Sequence, residues 1–111
     1  MGFFSDTRAA LDLMNAADAI NACIKSTLPY LNKYDIGQTF RSEDRPYIQA
    51  GIDFIANKVT YMQNRMQDLP THKWMSTMVR TIDGHSTAAP GYIMAMHQMC
   101  VELKEQLYKS Y

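Results

Sequence analysis

Ile48, Ile52, Ile55, Val59, Met62, Met66 and Leu69 follow one another at steps of four and three. That spacing keeps all of them on one helical face, whereas a strand, with its period of two, would scatter them over both faces of a sheet. It is also the heptad stripe of antiparallel bundles and coiled coils, so the segment has to bury itself against other helices. A helix over 44–69 follows, capped by Ser42 or Asp44, with Pro46 inside its first turn and Leu69-Pro70 as its stop.

The rest of the chain supplies helical partners. From Ser5 to Leu31, Ala10, Leu13, Ala17, Ile20, Ile24, Thr27 or Leu28, and Leu31 keep to steps of three and four, which predicts a helix over 6–31 that Pro29 kinks or ends. Trp74 or Met75, Met78, Val79 and Ile82 predict a short helix over 71–82, with Gly84 as a left-handed C-cap. Ala89, Ile93, Met96, Cys100, Leu103 and Leu107 predict a last helix over 88–109, capped by Ser86 or Thr87 with Pro90 in its first turn. No stretch shows the alternation of a half-buried strand. The expected fold is all-α: a single-domain bundle of four amphipathic helices spanning 1–111.

Charge and composition narrow the function classes. Eleven Lys and Arg balance eleven Asp and Glu, so bulk attraction to nucleic acid or anionic lipid is missing. No apolar run reaches the roughly 18 residues that span a bilayer. Asp6, Arg8 and Asp12 interrupt any signal-peptide core, and Asp6 stands where a myristoylated Gly2 would need Ser or Thr. Cys23 and Cys100 lie far apart, unlike the dense pattern of a secreted disulfide scaffold, so the expected setting is the reducing cytoplasm.

Three constellations carry chemistry-bearing residues. Met94-Ala95-Met96-His97-Gln98-Met99-Cys100 contains soft and imidazole ligands, but at about 100° per residue Met94 points nearly opposite to Met96, and only His97 and Cys100 could supply two ligands together. A metal- or cofactor-binding bundle built on that pair is the first alternative function; the favoured reading makes Met96, Met99 and Cys100 core fillers, with no cofactor. Asp83-Gly84-His85-Ser86-Thr87 holds the inventory of a hydrolase, yet capping explains the same letters and no enzyme is expected. Lys58, Arg65, Lys73 and Arg80, with Trp74 beside Lys73, would suit a nucleic-acid-associated module, the second alternative, although Pro70 breaks the line and a solvated polar face is favoured.

A second apolar stripe on the 44–69 helix carries more weight. Tyr47, Phe54 and Tyr61 each precede a seam residue, Ile48, Ile55 and Met62, so one seam cannot cover both rows. Such a helix either meets two neighbours within the monomer or offers its shoulder to another chain. The nine methionines and seven tyrosines fit an adaptable contact surface. The leading expectation is a small non-catalytic cytosolic helical protein that works by binding another protein, as an inhibitor, immunity factor, adaptor or chaperone-like module, with a homodimer as one form. Its candidate contact residues are Tyr47, Phe54, Tyr61, Arg65 and Trp74, and Tyr61, flanked by Lys58 and Arg65, is the candidate anchor.

Overall fold

The computed structural model describes residues 3–111; Met1 and Gly2, and with them the reading of the extreme N-terminus, lie outside the described residues. The described residues form three α-helices, α1 (Phe3–Leu31), α2 (Arg45–Met66) and α3 (Ala89–Lys109). Between α2 and α3 lie a single 3-10 turn (Thr71–Lys73) and a two-stranded antiparallel ribbon, β1 (Met78–Arg80) and β2 (Ser86–Ala88). Met78 pairs with Ala88, Val79 with Thr87 and Arg80 with Ser86.

The expected helix over 71–82 is therefore corrected, and with it the four-helix, all-α description. Two physical reasons stand out. Thr77, Val79, Thr81 and Ile82 are β-branched and cluster just before Asp83-Gly84, a pair that favours hairpin turns as much as helix ends. Gly84, at φ +86°, sits where the chain turns back, its N–H donating to Thr81 O at 3.0 Å while Thr81 N–H donates to His85 O at 2.7 Å. That geometry belongs to a three-residue hairpin loop, in which glycine supplies the left-handed position. Ser86 and Thr87 are consequently strand residues, and the N-cap of α3 is Ala88, without a side-chain cap bond.

The remaining boundaries move less. Pro29 lies inside α1, which runs two residues beyond it to Leu31. Helix α2 closes at Met66, three residues short of Leu69, and Leu69 N–H caps it by donating to Met66 O at 3.0 Å. Its seam is buried in full: Ile48, Ile52, Ile55, Val59, Met62, Met66 and Leu69 all lie in the core. α2 takes the central place, packing on α1 along one flank and α3 along the other, while β1 rests on α1.

Small residues let α1 approach α2 closely. Ala9, Ala16 and Ala17 are buried beside Leu13 and Ile20, and a Cβ placed on Gly51 would lie 2.5 Å from Thr27 Oγ1. Tyr30 stacked on Tyr47, Gly51 against Thr27 and Arg65 paired with Asp12 fix the two helices as antiparallel and set their register.

The N-terminus of α2 is pinned differently from the sequence expectation. Asp44 occupies the N-cap position but makes no cap bond; the residue is only 3% exposed, and its carboxylate accepts from Tyr34 OH and from Lys33 Nζ at 3.0 Å. The Tyr34 hydrogen bond, then the Lys33 one, hold the Asp44 carboxyl below its ordinary range. A depressed folded pKa contributes stability that is complete above the unfolded value near 4 and lost as pH falls through the folded value. Asp44→Asn is therefore expected to lower the urea midpoint at neutral pH and to flatten its decline in acid, read by denaturation between about pH 5 and about pH 2. An acid limb as steep as wild type would show that other carboxylates carry it.

Candidate functional site

Around α2, successive residues turn by about 100°, so a row one residue behind the seam lands on the flank of the helix. The structure leaves that row uncovered: Tyr47 is 57%, Phe54 40% and Tyr61 43% exposed. The monomer core therefore does not absorb it. Phe54, at the middle of the row, lines an open groove between α1 and α2 of about 490 Å³, with Ala19, Ala22, Cys23 and Ser26 on one side and Ala50 and Gly51 beside Phe54 on the other. One large knob on α2 thus stands beside a floor of small side chains contributed mainly by α1. The lining is apolar in character, and a hydroxyl or thiol at Ser26, Thr27 or Cys23 turns back to its own helix or to Gly51 O.

Positive charge marks the α2 edge. Lys58 Nζ sits 5.7 Å from the Phe54 ring centre and 5.8 Å from that of Tyr61, and no carboxylate pairs with it among the described residues. The ammonium thus lies within cation–π range of both rings. Tyr47 stacks in parallel on Tyr30 at 4.7 Å, which orders the end of the row.

The other two candidate contact residues are engaged elsewhere. Arg65 lies at the far end of the row, where it bridges Asp12 at 3.0 Å and Asp68 at 2.5 Å. Trp74 packs against the main core and its indole N–H donates to Leu69 O at 3.1 Å, which makes it a lid on the end of α2 rather than a member of the exposed row. Of the basic series, Lys73 pairs with Asp6 at 2.7 Å and Arg80 with Asp18 at 3.3 Å. Three of its four cations are thus tied to carboxylates of α1, and no ribbon of free charge results.

No family model matches this sequence, and no curated protein or solved structure matches it either.

Each reactive constellation brings a pair of groups together. His97 and Cys100 share the wall of a small cavity of about 150 Å³ with Ala56, Val59, Thr60, Gln63, Val101 and Lys104. No group of three or more His, Cys, Asp or Glu that could hold a metal occurs among the described residues. Burial pushes the Cys100 thiol up, away from the thiolate that metal binding or nucleophilic attack requires. Asp83 and His85 stand 3.7 Å apart at the exposed hairpin tip, where Asp83 accepts from Thr81 Oγ1 and is held low by it. No helix is long and apolar enough to cross a membrane among the described residues.

The groove floor lies outside the apolar series of α1, which runs through Ala10, Leu13, Ala17, Ile20 and Ile24. Its signal was present: Ala19, Ala22, Cys23 and Ser26 also step by three, one and three, a row of small side chains on α1 flanking the buried face.

Proposed function

We propose that this chain is a non-catalytic cytoplasmic protein that acts by binding another protein chain through the α1–α2 face. The observation that supports the reading is the exposure of Tyr47, Phe54 and Tyr61 in one row, with Phe54 lining an apolar groove. Aromatic anchors concentrate binding energy at few positions, and eleven basic against eleven acidic residues give no bulk attraction to nucleic acid or anionic lipid. A floor of small residues admits a helix backbone closely, so the natural ligand form is an amphipathic helix laid along the groove.

The test compares binding with folding. Tyr61→Ala is expected to weaken capture of the partner from source cells by about 1 to 3 kcal/mol, while its melting temperature stays close to wild type. Met94→Glu, on the exposed side of α3, serves as the surface control and should bind normally. Binding that survives both Tyr61→Ala and Phe54→Glu, in proteins that melt like wild type, rules out this face.

A further inference from the structure

We infer that the occupant of the α1–α2 face is a second copy of the same chain, related by a two-fold axis parallel to the helices; the inference rests on the protein-binding reading above. Such an axis lies between the two faces and exchanges left for right without changing level along the bundle. It therefore sets α2 of one copy over α1 of the other, antiparallel, as in an up-down four-helix bundle. Each copy's Phe54 then meets the small floor of Ala19, Ala22 and Cys23, because those residues stand level with Phe54 in their own chain. Knob and hole on one surface are the requirement of an isologous contact, and this face carries both.

Charge and area agree. The register fixed by Tyr47 on Tyr30, Gly51 against Thr27 and Arg65 on Asp12 places Lys58 level with Ala19, one residue from Asp18. Across the two-fold axis, Lys58 comes beside the other copy's Asp18, whose half-exposed carboxylate pairs with Arg80 in its own chain at 3.3 Å and is open to a second cation. Tyr47 comes level with the other copy's Tyr30, adding aromatic surface at the end of the row. A strip as long as α2, about 33 Å, and about 20 Å wide covers roughly 650 Å² per copy, or about 1,300 Å² in total. That falls inside the lower part of the range for specific interfaces.

The arrangement predicts which positions meet. Ser26 and Ala50 line the groove at one level, so residue 26 of one copy should face residue 50 of the other, while 26–26 and 50–50 lie diagonally across the bundle. Two variants are prepared in a Cys23→Ser background, one with Ser26→Cys and one with Ala50→Cys, then mixed and oxidised. The expected result is an interchain disulfide between the two different variants, in clear excess over either self-pair. Equal yields of all three pairs, or a dominant 50–50 product, overturns the proposed geometry.

Light scattering across a concentration series supplies a second readout that needs no cysteine variant. Wild type should pass from monomer to dimer, and Phe54→Ala should raise the dissociation constant at least about tenfold with its helical circular dichroism retained. A wild type that stays monomeric throughout overturns the second copy as occupant. The binding reading fails separately, when Phe54→Glu and Tyr61→Ala leave capture of a partner from source cells unchanged.

Discussion

Ile55→Asp is expected to abolish the folded state at neutral pH, and Val59→Asp to do the same. Both side chains are 2% exposed and lie mid-seam on α2, the helix that packs on both other helices. A carboxylate there loses its hydration inside a core cluster that carries no cationic residue, with Leu13, Ile20, Met62 and Ile93 among its members. The cost of an unpaired buried charge is several kcal/mol or more, and a domain of this size has about 5 to 15 kcal/mol in all. Far-UV circular dichroism with urea denaturation checks it: cooperative unfolding should disappear or move to a small fraction of the wild-type midpoint. Phe54→Asp, one residue earlier on the exposed row, provides the contrast and should unfold near the wild-type midpoint. If Ile55→Asp behaves like Phe54→Asp, the seam and the row have been exchanged.

That contrast shows which parts of the fold the sequence carries openly. A seam of seven residues at strict heptad spacing has no competing interpretation, and every one of its members is buried. The α1 face was equally legible through Leu13, Ala17 and Ile20, because a long helix repeats its signal over many turns. The hairpin was not. Its strands are three residues long, so alternation reduces to one buried Val79 between exposed Met78 and Arg80, and the same letters fit a short helical face. Asp83-Gly84 is ambiguous for a related reason: a left-handed glycine ends helices and closes hairpins alike.

The candidate site divides in the same way. Periodicity identified Tyr47, Phe54 and Tyr61 as a row separate from the seam, but exposure depends on where α3 lies, and spacing within α2 carries no information about that. α3 takes the opposite flank, beside Ala56, Val59, Thr60 and Gln63, which leaves the aromatic row bare. Arg65, one turn from Tyr61, and Trp74 enter the candidate list as interface-prone residue types. The long-range partners that claim them, Asp12 for Arg65 and the core for Trp74, are set by tertiary packing.

Tyr92 falls outside the α3 series of Ala89, Ile93 and Met96, yet it ties three elements together and gives the second large expected effect. It is buried, its hydroxyl lies 2.7 Å from Asn21 Oδ1 and 3.1 Å from Ala17 O, and Asn21 Nδ2 donates to Arg80 O at 2.9 Å. The chain Tyr92–Asn21–Arg80 thus links α3 to α1 and α1 to β1, where the helices themselves scarcely touch. A phenol has one proton, and the shorter contact assigns it to Asn21. Tyr92→Phe removes that donor and leaves a buried amide oxygen unsatisfied, an expected loss of about 1 to 3 kcal/mol. Tyr92→Ala removes the ring as well, for about 3 to 5 kcal/mol, and should loosen the ribbon with it. Denaturant midpoints measure both, and a double-mutant cycle with Asn21→Ala isolates the bond: the pair should cost clearly less than the two single changes added together. Additive losses would mean that Tyr92 acts through packing alone. Burial also pushes the phenol well above its ordinary pKa, so the neutral hydroxyl stabilises the fold below about pH 10 and that contribution is lost as pH rises through the raised value. Ultraviolet titration should accordingly find one tyrosine that ionises last, together with unfolding, and Tyr92→Phe should remove it.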